Sequence, residues 1–394
     1  MTTAYDKLNA VLENAGVSKT IYSITMPETE AAVDRVIDGG EQQDIVLSAL
    51  QDAFSTAGNT ASTPEQLAEL ITSKLYDARE TFRSNYREAW TQKQDAMHEE
   101  FFATWKNWTS PIIEANWDDF PYMYPTAGAS EALREAIYSY GHASRIAGET
   151  PVIHTFIGEY EGFGAYADAA GIKVVAHSRE NWREAIKNIG PNEQFYISQP
   201  SAIDGCVWDE FDDFAEELNT QQPSAKLMLD VTYVGCVGKD FTVNTNHDNI
   251  PAVIFSLSKP CGAYYHRVGG MLSKEAYPGL FGNKWFKNLL ALNLGTEMMK
   301  TYGVQELPRK YAPIQQQAIA EANKNLGFNL QATDVYHLGV MKPRANASEL
   351  EKYLTRGSDG QELVRVCLTP TMAHIIDPKM SNIVRARPHE GIKP

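Results

Sequence analysis

The chain has 394 residues, 43% of them hydrophobic, enough to fill a sizeable core over roughly two or three domains. A formal net charge of -15, from 50 acidic against 35 basic residues with no long basic run, excludes an electrostatic nucleic-acid binder, and no apolar run reaches membrane-spanning length. Four cysteines, Cys206, Cys236, Cys261 and Cys367, lack the paired spacing of a zinc site or a small disulfide framework, and the N-terminus has no basic-then-apolar leader, so reduced thiols and a cytoplasmic location are expected.

Residues 41–108 are rich in Ala, Leu, Glu, Gln and Lys and predict helices. Thr63 caps one of them, with Pro64 at its first position and Gln66 placed for a capping box; Leu67, Leu70, Ile71, Leu75, Ala78, Phe82 and Tyr86 then recur at helical spacing as a core-facing stripe. After Pro121 the texture changes. Apolar runs at 151–157, 172–177, 194–198, 226–231, 252–257 and 268–272 alternate with helical patterns, which predicts an α/β domain with a mostly parallel sheet. Beyond residue 274 a helical stretch carries Leu280, Trp285, Leu289, Leu292, Met298 and Met299, and continues into 315–325. Strands at 335–341 and 362–368, with a helix at 348–355 between them, predict a smaller α+β domain. The expected division is an N-terminal helical segment at 1–110 that contributes to the small domain, a large α/β domain at 111–300, and the small α+β domain at 301–394.

Three segments carry chemistry. Gly128, Ala129 and Ser130 lie in a turn opening straight into a helix, where unpaired N–H groups and the helix dipole favour an anion and Ser130 adds a hydroxyl. Asp230 ends the apolar run 226–229, so its carboxylate emerges into a partly dry place and wants a cation, with Tyr233 three residues on. Lys259 follows the buried-looking run 252–257 in a Ser/Gly-rich turn, and burial beside Arg267 favours its neutral amine. Ser256 and Arg267 stand close enough along the chain to share a phosphate between a hydroxyl and a guanidinium. Singly, these have plainer readings: a helix-capping turn, a strand-end acid, a core tyrosine, a surface ion pair. Together they point to pyridoxal 5'-phosphate, with Lys259 forming the Schiff base and Asp230 facing the protonated ring nitrogen.

In the order and spacing of these motifs the chain resembles the class I/II aminotransferases of the fold-type I pyridoxal phosphate superfamily, the relatives of aspartate aminotransferase. Those enzymes carry a phosphate-binding turn like Gly128-Ala129-Ser130, an Asp-x-x-Tyr like Asp230 to Tyr233, and a Ser-x-Ser-Lys-x-x-Gly-to-Arg signature like Ser256 to Arg267. The resemblance covers about residues 120–272 well, is thin at the C-terminus and is absent over the first hundred residues. It implies a large domain whose mostly parallel sheet of seven-stranded type lies between helices. It further implies Tyr160 stacking on the cofactor ring, Arg365 on the strand 363–368 clamping the substrate carboxylate, a small amino-acid substrate, a keto-acid acceptor and a homodimer.

The sequence also departs from the family pattern. Where many relatives have Asn-Pro-Thr-Gly, this chain has Ser198-Gln199-Pro200-Ser201-Ala202-Ile203-Asp204-Gly205, so the ring-contacting asparagine is missing or replaced, with Gln199 or Ser201 as the candidates to stand in. Tyr265 puts a bulky ring near the phosphate turn. The leading expectation is an aminotransferase. A lyase or cyclase that eliminates or replaces a β- or γ-substituent is the alternative, and a non-catalytic protein retaining the fold is disfavoured by the presence of Lys259, Asp230 and Arg267 together.

Overall fold

The computed structural model describes residues 4–20, 24, 26–38, 51–52, 55, 63–66, 68–74, 94–285, 287–358 and 360–378. The Gln66 N–H donates to Thr63 Oγ1 at 3.3 Å, the cap expected there, whereas Leu67, Leu75, Ala78, Phe82 and Tyr86 of the predicted stripe lie outside the described residues.

Seven strands form the large sheet: β1 (Tyr122–Thr126), β2 (Val152–Phe156), β3 (Lys173–His177), β4 (Gln194–Ser198), β5 (Lys226–Asp230), β6 (Ala252–Ser256) and β7 (Gly269–Ser273), in the spatial order β1-β7-β6-β5-β4-β2-β3. All are parallel except β7, which is antiparallel to both neighbours. Six of the seven were legible as apolar runs. β1 was not, because Tyr122–Thr126 contains Pro125 and merges with the turn before the following helix.

Each central strand is apolar on both faces, as a sheet covered on both sides requires. Phe195, Ile197, Leu227, Leu229, Val253 and Phe255 face one core, and Tyr196, Met228, Ala252 and Ile254 face the other. The second face is covered by helices Ala129–Ile146 and Glu161–Ala169, through Ala132, Leu133, Ala136, Ile137, Phe163 and Ala167. On the first face the helix Gln94–Thr109 supplies Phe101, Phe102 and Trp105, with Trp105 stacked on Phe255 at 4.1 Å between ring centroids. A Cβ at Gly270 would stand 2.7 Å from Phe255 and 2.8 Å from Phe102, so that layer tolerates only glycine there.

The small sheet is wholly antiparallel: β8 (Gln331–Ala332), β9 (Leu338–Met341), β10 (Thr355–Arg356) and β11 (Leu363–Cys367), in the order β8-β9-β11-β10. The predicted strand at 335–341 begins only at Leu338, because Val335 is taken up by an isolated bridge to Val237. Helix Glu349–Leu354 starts on a full capping box, Ser348 with Glu351. The N-terminal segment joins this sheet: Ser18 and Cys367 exchange backbone hydrogen bonds at 3.0 and 2.7 Å. Among the described residues no helix is long and apolar enough to cross a membrane.

Candidate active site

Parallel strands deliver their carboxyl ends to one edge of a sheet, where ligands gather in open α/β folds. Here that edge receives Thr126 of β1, Phe156 of β2, Ser198 of β4, Asp230 of β5 and Ser256 of β6. The single antiparallel strand adds one more arrival. Residues 257–268 contain no crossover helix and turn the chain back on itself, so Arg267 emerges beside the residue where the loop began, with Ser256 paired to Gly269.

The Gly128 turn, Ser256 and Arg267 converge. Gly128 has φ +82°, and a Cβ built on it would lie 2.9 Å from Arg267 Nη2 and 3.4 Å from Ser256 Oγ. Arg267 itself is left-handed at φ 52°, held by Nη2 donating to the Ala127 carbonyl at 2.9 Å and Nη1 to the Tyr264 carbonyl at 3.4 Å. Ser256 Oγ accepts from the Ser258 N–H at 3.1 Å and donates to the Val268 carbonyl at 3.3 Å. Ala129 and Ser130 open the helix Ala129–Ile146, whose first N–H groups have no intrahelical acceptor. The Ser130 hydroxyl bonds the phenol of Tyr160, whose ring folds back over Gly162 and stays 38% exposed.

Lys259 is half-buried, its amine set among groups that strip much of its solvation. Its amine is pushed down to about 8, first by burial and further by the charges of Arg267 and Arg365, while the thiols of Cys367 and Cys236 act in the opposite sense. The ring of Tyr264 stands below it, 4.8 Å from Nζ and 5.6 Å from the Arg267 Cζ. Tyr265, the residue expected to crowd the phosphate turn, instead points outward and is 66% exposed. The bulky ring at the turn is therefore Tyr264, since successive side chains of the 3-10 turn Tyr264–His266 diverge by about 120° around its axis.

Asp230 is buried, and that burial raises its carboxyl above the ordinary range. The Thr232 N–H donates to Oδ1 at 2.9 Å and the Tyr196 hydroxyl to Oδ2 at 3.2 Å. Tyr233 is buried between Asp230 and Arg365, and its phenol is raised by desolvation. Arg365, on β11, is 3% exposed, and burial lowers it to about 10 with the neighbouring Arg356 charge adding to the effect. Its Nε and Nη1 have no hydrogen-bond partner among the described residues. All ten residues singled out in the sequence thus lie along this one edge or on the small-sheet strand facing it.

Neither candidate for the missing asparagine is free to replace it. The Gln199 side chain donates to the Trp208 carbonyl at 3.0 Å and accepts the Trp208 N–H at 3.1 Å, pinching the loop 199–208 shut. Ser201 Oγ accepts from Arg179 and from the Ile203 N–H, each at 3.1 Å.

The sequence reading missed Glu159. Its carboxylate accepts from the Ser198 N–H at 3.0 Å, from the Ser198 hydroxyl at 2.8 Å and from the Tyr160 N–H at 3.1 Å. Burial raises it to about 7, and the Asp230 charge adds to that rise. An acid one residue before an expected stacking aromatic, just past a strand end, was the available signal. His337, fully buried with both ring nitrogens unpartnered among the described residues, carried no such signal, because only the packing of the small sheet brings it near Lys259.

Neither a protein-family model nor a curated protein matches the sequence. Solved structures do. Histidinol-phosphate aminotransferase from Sinorhizobium meliloti, in complex with pyridoxal-5'-phosphate, matches with a TM-score of 0.54 at 13% identity over 74% of this chain and 83% of its own. A tetra mutant of Thermus thermophilus aspartate aminotransferase matches with a TM-score of 0.54 at 13% identity over 70% and 85%. YbdL from Escherichia coli, with a methionine aminotransferase function, matches with a TM-score of 0.53 at 14% identity over 71% and 82%. With a seven-stranded sheet whose single reversed strand carries the lysine loop back, the chain has the fold of the fold-type I aminotransferase superfamily.

Proposed function

We propose that the chain is a pyridoxal 5'-phosphate-dependent aminotransferase acting on a small amino acid, with a keto acid as the second substrate and a homodimer as the assembly. The observation that carries this reading is the desolvated Lys259 amine, held near 8 and lowered further by two guanidiniums, Arg267 and Arg365, that each suit one end of such a reaction. A nucleophilic, proton-transferring lysine has to be neutral for part of its cycle, and burial beside cations is the usual means.

The donor set fits the cofactor. Gly128, Ala129, Ser130, Ser256 and Arg267 would hold the phosphate, because a glycine turn at a helix start lies against the Ser256 hydroxyl and the Arg267 guanidinium, with Ser130 in the first turn of that helix. Asp230 would face the pyridine nitrogen, its burial strengthening the pairing, with the Tyr196 hydroxyl fixing one oxygen. Tyr160 would cover one face of the ring and Tyr233 the ring oxygen. Bound there, pyridoxal 5'-phosphate supplies an aldehyde for amine capture and an electron sink for a carbanion. Lys259 Nζ then takes and returns the proton of the substrate Cα, and Arg365 orients the substrate through a forked contact to its carboxylate.

The test is a visible spectrum of the protein with added pyridoxal phosphate, for wild type and Lys259→Ala, followed by a panel of amino acids with and without a keto acid. A lysine-dependent band, and keto acid formed without ammonia, are expected. No band at all would refute the cofactor. Ammonia release would replace transamination by elimination.

A further inference from the structure

The N-terminal segment, where the sequence shows no resemblance to the family, reaches the turn that carries Lys259. Residues 258–261 form that turn, in which the Cys261 N–H donates to the Leu257 carbonyl at 3.1 Å and the Gly262 N–H to the Lys259 carbonyl at 3.5 Å. The carbonyls on either side of Pro260, those of Lys259 and Cys261, draw further partners from distant parts of the chain, as buried backbone groups outside a ladder must. Thr29, 4% exposed and in the first turn of the helix Pro27–Asp38, donates its hydroxyl to the Cys261 carbonyl. The same segment closes on Gly262, which is left-handed at φ +61°. A Cβ there would stand 2.7 Å from the Ile24 carbonyl oxygen and 3.0 Å from Met26 Cγ, both residues being wholly buried.

Glu28, beside Thr29 and also buried, acts on the turn by a longer route. It pairs with Lys310 and accepts the Tyr311 hydroxyl at 2.7 Å, both partners lying on the helix Glu306–Leu326. The Tyr311 ring stacks on that of Tyr336 with centroids 5.8 Å apart, and the Tyr336 hydroxyl donates to the Lys259 carbonyl at 3.4 Å. Two adjacent buried polar side chains of one helix thus end, directly or through two tyrosines, on the two carbonyls that flank Pro260.

We propose that Thr29 is a positioning residue for Lys259, holding its turn through the Cys261 carbonyl, with Glu28, Tyr311 and Tyr336 bracing the same turn through the carbonyl of Lys259 itself. The inference rests on the reading of Lys259 as the residue that captures the cofactor, and it gives the N-terminal segment a task in that capture. The lysine side chain is long and flexible, so its amine keeps its place and its shielding from water only if the backbone beneath it is fixed. A displacement of about 1 Å at a reacting group costs on the order of 100-fold.

Two forms of the cofactor separate the lysine from the rest of the site. Pyridoxal phosphate offers the lysine an aldehyde, whereas pyridoxamine phosphate has none and binds through its phosphate and ring alone. Dissociation constants for both are measured by fluorescence titration of wild type, Thr29→Val and Thr29→Ser, with urea midpoints to confirm folding. Thr29→Val should weaken pyridoxal phosphate roughly 2- to 10-fold, the range for one hydrogen bond, and leave pyridoxamine phosphate unchanged, while Thr29→Ser restores the wild-type ratio. The midpoint of borohydride capture at Lys259 should also move up from near pH 8 toward 10.5 in Thr29→Val as water reaches the amine. Tyr336→Phe removes only the hydroxyl on the other carbonyl and should change the ratio in the same direction; it decides alone if Thr29→Val does not fold. An unchanged ratio and midpoint in the folded variant would overturn the proposal, and so would an equal loss for both cofactor forms, the mark of a general scaffold. Failure of the cofactor reading looks different: wild type itself then shows no lysine-dependent band and binds neither form.

Discussion

Arg267 Nη2 donates to the carbonyl of Ala127 at 2.9 Å and stands 2.9 Å from where a Cβ on Gly128 would be. The two residues come from opposite ends of the large sheet's sequence, yet β1 and β7 are hydrogen-bonded neighbours, so the turn after one and the residue before the other meet by topology. Gly128→Ala adds a methyl group at that contact and a side chain at φ +82°. The methyl group pushes the Arg267 guanidinium aside, and losing one charge-assisted contact to the phosphate, about 1.5–3 kcal/mol, should lower pyridoxal phosphate affinity ~10- to 100-fold with the fold retained. Fluorescence titration of the cofactor checks it; unchanged affinity would remove Gly128 from the phosphate cradle.

The amine of Lys259 gives a pH signature. Its value of about 8 lies below the ordinary 10.5, so between those two pH values the unfolded chain binds a proton that the folded chain has released. Stability from this group therefore rises with pH through that window, and the burial cost is present in full below 8. Covalent capture of pyridoxal phosphate at Lys259 by borohydride, mapped by peptide mass spectrometry, should climb with a midpoint near pH 8 rather than near 10.5. Lys259→Ala should lower turnover by ~10²- to 10⁴-fold or more, the range for losing a positioned proton-transfer group.

What was legible in the sequence follows from where the physics is local. The strands of the parallel sheet read directly because burial on both faces demands continuous apolar runs, as at 226–230 and 252–256. Lys259, Asp230 and Arg267 read because each sits just past or before such a run. Side-chain commitments did not read. That Gln199 spends its amide on Trp208, or that Tyr264 rather than Tyr265 faces the lysine, depends on loop geometry that no spacing encodes. That Arg356 lies diagonally beside Arg365 on one face of the small sheet needs the register of β10 on β11, which a two-residue strand does not advertise.

Gln199 stands where relatives have a ring-contacting asparagine, but its two bonds to the Trp208 backbone give it a different role. Gln199→Ala leaves a part-buried N–H and a part-buried carbonyl of Trp208 without their side-chain partners, at up to about 1–3 kcal/mol in total because water reaches them in part. The expected result is a lowered urea midpoint and faster proteolysis within 199–208, with the visible absorption maximum of the bound cofactor unmoved. A shifted maximum with unchanged stability would instead return Gln199 to the ring.

Glu159 supplies the opposite pH dependence. Burial raises it to about 7 from an ordinary 4.5, so across that interval the folded state holds a proton that the unfolded chain has lost. Its contribution is fully present below 4.5 and is lost as pH rises through 7. The ionised form also sets a second negative charge against Asp230, which adds to the rise at Glu159, so the protonated form of Glu159 leaves Asp230 the dominant negative group on that side. Glu159→Gln holds the neutral state permanently and keeps the shape, with the Ser198 hydroxyl able to turn and accept. Relative to wild type the variant should therefore gain stability at pH 8 and show little or no gain at pH 5, measured as urea midpoints. An equal difference at both pH values would mean that Glu159 does not titrate in this interval, and that its bonds to Ser198 and Tyr160 keep it ionised throughout.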